Sequence, residues 1–310
     1  RPFYVSASMT LTLYITTVLI WGSSWIMFDF QTGIVSPEVS GAYRFGIAAL
    51  FMFIWAKMNR ETLGFTAGEH AFLALQGAFM FALNIVFLYL AAWYLPSGLN
   101  AVVFSMASII SMGAGIFYYR KAPSMTLLIG GLTGVLGVVV VFWPEIKSLE
   151  LKQGVGLGLL LSLAGTTSFA ISLLIGERNQ RVGLGGHGGL AWAMTYGTLV
   201  MCVIAVFRDS PFTFDSRFSY VGSLIFLVVF NSVIAFSVYF ALLKRIGAER
   251  SAYVTVLFPI VALVISTIFE NYQWTLSAFI GVALTLIGNV LILRNSPRAK
   301  VAPIKSKFEH

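Results

Sequence analysis

FLVVFNSVIAFSVYFALLKRIGAERSAYVTVLFPIVALVISTIFE, residues Phe226–Glu270, is the stretch whose reading decides the fold. Two apolar segments, 218–243 and 251–269, flank the compact basic turn Lys244–Arg250. A helix rising ~1.5 Å per residue needs roughly 20 residues to cross ~30 Å of hydrocarbon, so the pair is expected to be a transmembrane hairpin.

The same rhythm occurs earlier in the chain. Segments 71–95 and 97–119 form a second hairpin, whose turn Leu95-Pro96-Ser97-Gly98 carries no charge. An offset of 151 brings Leu95 onto Ile246 and Pro96 onto Gly247, and Gly130 and Gly137 onto Gly281 and Gly288. Residue identity under this offset is near chance. Shared hydropathy and glycine spacing carry the signal, which is how internal repeats in secondary transporters present themselves.

Composition excludes a soluble protein. Apolar residues make up 58% and charged residues 10% of the 310, and mean hydropathy is +0.87, against about a quarter charged for soluble domains. The net charge of +8 sits between apolar runs, where it sets topology; no basic stripe interleaved with stacking aromatics suggests nucleic acid. Cys202, the one cysteine, excludes a disulfide within the chain. The first apolar run is too long for the core of a signal peptide.

Charge-poor apolar runs predict ten crossings, at about 9–28, 39–56, 71–94, 97–119, 124–143, 154–176, 188–207, 219–243, 251–269 and 275–293. With the N-terminus in the cytoplasm, fifteen Lys and Arg fall inside. Lys147, Lys152, Arg208 and Arg217 fall outside, and Arg44 lies within a helix. This positive-inside bias predicts both termini cytoplasmic. Five crossings per repeat is odd, so the second copy enters the membrane from the opposite side. The expected fold is an all-α integral membrane protein of ten transmembrane helices in two inverted five-helix repeats. Its parts are a first repeat over 1–143, a periplasmic connector over 144–153, a second repeat over 154–294 and a cytoplasmic tail over 295–310 near anionic lipid.

Small residues at Gly130-x-x-x-Gly134 and Gly154-x-x-x-Gly158 are expected to let helices pack closely. Polar groups inside the membrane are costly and point to a pathway. Trp21-Gly22-Ser23-Ser24-Trp25 puts two indoles one turn apart on one face near mid-span, which suits either a pore wall or plain packing. Pro259 interrupts the run 251–269 and removes one helical hydrogen bond, as a kink or as a freed carbonyl facing a cavity. Arg44 is expected either to snorkel to the interface or to bind an anion or gate. Asp29 and Glu270 fall at outer ends, too shallow for a proton carrier, and no mid-membrane carboxylate is read for ion coupling. A facilitator or exchanger is therefore expected at least as much as a carrier with protons as coupling ion.

Enzymatic constellations are missing from the sequence. His70 and His187 fall in expected loops and His310 at the end, no cluster has metal-ligand spacing, and no phosphate-cradling G-x-x-x-x-G-K occurs. The expectation is a protein without enzymatic activity or cofactor.

Three groups of residues carry a resemblance. They are Trp21–Trp25, Ser36-Pro37 with Arg44-Phe45, and Ala241-Leu242 with Arg245-Ile246-Gly247-Ala248 followed by Pro259 and Glu270. In order and spacing they resemble the EamA branch of the drug/metabolite transporter superfamily, over about 9–294. In the first repeat Ser108 and Tyr119 stand where such proteins often carry a proline and a closing glutamate. The resemblance implies a cavity lined by helices one, three, four, six, eight and nine, and alternating access by rocking of the repeats. The substrate is then expected among Trp21, Ser24, Trp25, Asn84, Phe87, Phe104, Ser108, Asn231, Tyr239 and Thr255, with Pro259 and Arg44 as kink and gate. The expected cargo is a small amphipathic metabolite (amino acid, aromatic compound or drug-like cation) exported across the bacterial inner membrane. The alternatives are an uptake carrier for a choline-like quaternary ammonium and a membrane sensory or scaffold component that transports nothing.

Overall fold

The computed structural model describes residues 7–107, 109–111, 113, 125–144, 154–239, 242 and 254–294. The basic turn 244–250, the connector 145–153 and the tail 295–310 lie outside them. Among the described residues every regular element is helical. The helices are α1 (Ala7–Phe30), α2 (Pro37–Met58), α3 (Ala67–Ala92), α4 (Ser97–Phe104, with further helical backbone at 109–111), α5 (Met125–Val141), α6 (Val155–Arg181), α7 (His187–Phe207), α8 (Phe218–Tyr239), α9 (Val254–Phe269) and α10 (Leu276–Arg294). Six of them, α1, α2, α3, α6, α7 and α8, are long and apolar enough to cross a membrane; α4, α5, α9 and α10 are shorter apolar helices.

Local chemistry sets the boundaries that hydropathy blurs. Pro37 opens α2, its fixed φ and missing N–H suiting the first turn. Helix α3 starts four residues before its apolar run because Thr66 and Glu69 form a capping box: the Thr66 amide donates to Glu69 Oε2 at 2.7 Å, and the Glu69 amide donates to Thr66 Oγ1 at 3.4 Å. His70 therefore lies in the first turn of α3 and His187 is the first residue of α7, neither of them in a loop. Helix α6 runs past its apolar segment to Arg181. Its polar last turns are held by the Glu177–Arg181 pair and by Asn179 Nδ2 donating to Gln76 Oε1 at 2.7 Å.

Two interruptions were not expected. Ala78–Leu83 in α3 and Leu227–Ile234 in α8 are π-helical. Shifted by 151 the first falls on 229–234, inside the second. A π turn releases carbonyls from the helical ladder, and here Ser168 of α6 donates to the Phe79 carbonyl at 2.8 Å while Asn84 Nδ2 donates to that of Met80 at 3.1 Å.

Packing follows the glycines. A Cβ on Gly137 would come within 2.6 Å of the Gly281 carbonyl, and one on Gly288 within 2.6 Å of the Gly130 carbonyl, so α5 and α10 touch backbone to backbone. The Gly130 stripe thus packs within the chain. Under the offset Gly130 corresponds to Gly281 and Gly137 to Gly288, so the two contacts are reciprocal, the pattern of a twofold interface. Further contacts join α2 to α7, α1 to α9, α3 to α6, and α4 to both α6 and α9.

The bundle has two ends. At one, Glu61 meets His187 and Trp192 Nε1 donates to the Leu63 carbonyl at 2.9 Å. At the other, Gln31 Nε2 donates to the Tyr220 carbonyl at 2.9 Å and to Ser223 Oγ at 2.6 Å, Ser210 Oγ donates to Glu38 Oε1 at 2.5 Å, and Glu270 meets the start of α4.

Candidate functional site

The centre of the bundle is aromatic. Trp25, buried on α1, stacks on Phe258 of α9 (5.9 Å between centroids, 16° between planes) and stands edge-on to Phe104 of α4 at 5.2 Å and Phe28 at 5.5 Å. Phe104 packs in turn on Phe169 of α6 at 4.8 Å. One turn back, Trp21 meets Phe236 at 5.7 Å and Tyr239 at 5.0 Å, both on α8. Gly22 lets α9 approach: a Cβ there would lie 2.5 Å from Val261 Cβ and 3.0 Å from the Phe258 carbonyl. Pro259, inside α9, lacks the amide that would continue the ladder, and its neighbour Phe258 supplies the ring stacked on Trp25. Rings from α1, α4, α6, α8 and α9 thus converge in edge-on and stacked contacts, each contributing about 0.5–1.5 kcal/mol beyond burial.

A polar arm adjoins this cluster. Arg44 is 3% exposed and does not reach the interface, contrary to the snorkelling expectation. Its Nη2 donates to Asn231 Oδ1 at 2.6 Å and its Nε to Ser232 Oγ at 3.2 Å, both on the π segment of α8. The guanidinium lies over the rings of Phe45 (4.6 Å) and Phe28 (5.7 Å). Tyr89 of α3 is beside it, and Phe28 stands edge-on to Tyr89 at 4.8 Å. The stem does not snorkel because acceptors on α8 hold the guanidinium inside the protein.

The remaining expected residues divide. Ser24 Oγ donates to the Trp21 carbonyl on its own helix at 2.7 Å, so its hydroxyl is taken. Asn84 is buried with Oδ1 unpartnered, and its backbone packs on Gly165 of α6. Phe87 is half-buried and outside the cluster around Trp25. Ser108 and the Thr255 side chain lie outside the described residues. The sequence reading missed Phe28, Phe169, Phe236, Phe258 and Tyr89. Two had local signals: Phe28 follows Trp25 by three residues on the same helical face, and Phe258 precedes the proline.

At the opposite edge of α1 and α9, Glu270 accepts from the Ser97 amide at 3.0 and 3.2 Å and from Ser97 Oγ at 2.6 Å, and the Asp29 carboxyl hydrogen-bonds to it. Glu270, with Asp29 beside it, thus caps the N-terminus of α4, where anions are favoured.

Comparison with known proteins is consistent with this architecture. The EamA-like transporter family matches the chain twice, over residues 8–143 and 156–294. An uncharacterized transporter of Archaeoglobus fulgidus is 24% identical over 90% of this chain and 96% of its own length. Protein PagO of Salmonella typhimurium is 21% identical over 92% and 93%. A probable amino-acid metabolite efflux pump of Escherichia coli is 20% identical over 93% and 97%. A chain in a solved crystal structure shares the fold at a TM-score of 0.64 and 15% identity, covering 92% of this chain and 96% of that one.

Proposed function

The chain belongs to the EamA-like transporter family, and on that premise we propose that it exports a small amphipathic metabolite across the bacterial inner membrane by alternating access. In this reading all ten apolar segments cross the bilayer. Residues 1–143 and 154–294 form two five-helix repeats of opposite orientation joined by 144–153, and both termini face the cytoplasm. The twofold family match, the π segments at one offset and the reciprocal glycine contacts of α5 and α10 support the duplication. Lys57, Arg60, Arg178 and Arg181 cluster at the Glu61 end, which is then cytoplasmic. Arg208 and Arg217 at the Glu270 end pair with Glu38 at 3.6 Å and with Asp215 at 2.6 Å.

The observation that carries the transport reading is the ring set around Trp25. It joins α1 and α4 of the first half to α6 and α9 of the second through apolar faces that a cargo of similar chemistry can replace as the halves separate. We place the cargo among Trp21, Trp25, Phe104, Phe258, Tyr239 and Asn231. The name of the Escherichia coli relative supports export and amino-acid metabolites as the class. Aromatic faces also suit a choline-like cation, but the buried charge of Arg44, one ring away across Phe28, opposes it.

Reconstitution tests this reading. Proteoliposomes loaded with a panel of amino acids and aryl acids should show saturable counterflow for at least one, lowered tenfold or more by Trp25→Ala. Absence of counterflow for every amphipathic compound, or flux indifferent to that change, refutes it.

A further inference from the structure

Arg44 is a guanidinium buried without a counter-ion among the described residues. The ion pairs among the described residues belong to Arg181, His187, Arg208 and Arg217. Glu38, the acid nearest to Arg44 along α2, is engaged by Arg208 and Ser210. The acceptors Arg44 does have, Asn231 Oδ1 and Ser232 Oγ, are neutral, and its Nη1 is buried with no acceptor. The Tyr89 hydroxyl, 1% exposed, faces the guanidinium as a further neutral neighbour and finds no acceptor for its own proton. A buried guanidinium and a buried phenol therefore face each other inside the protein, with no anion to accept from either among the described residues. Removing a charge from water without pairing it destabilises the empty protein, and intramembrane cations that persist in this way serve a pathway.

We propose that Arg44 and Tyr89 receive the carboxylate of the cargo, whose apolar body lies along Phe28 and Trp25. The guanidinium fork matches a carboxylate in two parallel hydrogen bonds, and the phenol adds a third. Phe28 bridges the polar arm and the ring cluster, with Tyr89 at 4.8 Å on one edge and Trp25 at 5.5 Å on the other. A ligand one ring long therefore spans both. Because Arg44 is held by the π segment of α8, an arriving carboxylate competes with Asn231 for the guanidinium and loosens that segment. The inference rests on the transport reading and names its substrate class: small carboxylic acids with an apolar or aromatic body, amino acids included, and not permanent cations.

The test uses the purified full chain and four matched probe pairs: 3-phenylpropionate and its amide, hexanoate and its amide, L-phenylalanine and its amide, L-leucine and its amide. Affinities come from ligand-dependent thermal shifts. In the wild type at least one acid should bind roughly tenfold to a hundredfold tighter than its amide, the range for a charge-assisted pair. Arg44→Gln should abolish that preference while leaving the amide affinity in place. Tyr89→Phe, which removes one oxygen and keeps the ring, should weaken the acid severalfold and the amide little, and it carries the test if Arg44→Gln does not fold. Equal affinity for acid and amide in every pair, an acid preference that survives Arg44→Gln, or preferential binding of ethyltrimethylammonium overturns the assignment. Acid-selective binding without counterflow in proteoliposomes supports the carboxylate site and refutes the transport reading alone.

Discussion

Replacing Glu270 by Ala should open the end of the bundle that carries it. The Glu270 carboxylate accepts from the Ser97 amide and hydroxyl and bonds to Asp29, which ties the end of α9 to the start of α4 and the end of α1. A hydrogen bond to a charged acceptor contributes about 1.5–3 kcal/mol, and loss of the anion leaves the first amide of α4 uncapped. Glu270 is partly exposed, so solvent screening brings the total to about 2 kcal/mol, roughly a thirtyfold shift from sealed to open. The readout is the rate at which a membrane-impermeant maleimide labels Ser24→Cys in a Cys202→Ser background in intact cells. Ser24 is buried, next to Trp25, and Cys202 is the one native thiol. Glu270→Ala should speed labelling about thirtyfold, whereas Glu61→Ala, at the other end, should not. Unchanged labelling, or equal acceleration by both variants, refutes the latch.

Other expected outcomes follow from the same contacts. Asn231→Asp gives Arg44 a counter-ion, so the unliganded protein should melt higher in detergent while losing its preference for carboxylates over amides; Asn231→Leu should melt lower, since it removes the 2.6 Å acceptor. Gly137→Leu forces α5 from α10 and should cost about 1–3 kcal/mol, visible as a lowered melting temperature. Burial pushes the Glu61 carboxyl up, but hydrogen bonds from His187 and the Gly188 amide outweigh it and hold its pKa below the ordinary 4.5. A depressed carboxylate stabilises the fold above its unfolded value and loses that contribution as pH falls through the folded value. Glu61→Gln should therefore lower thermal stability at neutral pH, where the carboxylate contributes, and flatten its fall below pH 4.5, where variant and wild type converge.

Hydropathy carried most of the helix boundaries, because apolar runs in a bilayer protein are set by span length, a local property. It failed where polar residues extend a helix, as Thr66 and Glu69 do for α3 and Asn179 does for α6. The π segments were invisible, since Ala78–Leu83 and Leu227–Ile234 are ordinary apolar sequence and the extra residue per turn is decided by neighbouring helices. The site was half legible. Trp21 and Trp25 announce themselves as a pair on one face. The acceptors of Arg44 lie 187 and 188 residues away, and the Asp29–Glu270 pairing is equally non-local, so one sequence read locally makes Arg44 a snorkelling stem and the acids two unrelated surface groups.

The central claim, two halves inserted in opposite senses around a shared aromatic site, is tested most directly by sided labelling. Cysteines placed one at a time at Pro96 and at Gly247, in the Cys202→Ser background, should react with an impermeant maleimide from opposite faces of the membrane. Residue 96 should label in intact cells and residue 247 only in inverted vesicles. Reaction of both from one face would contradict the account.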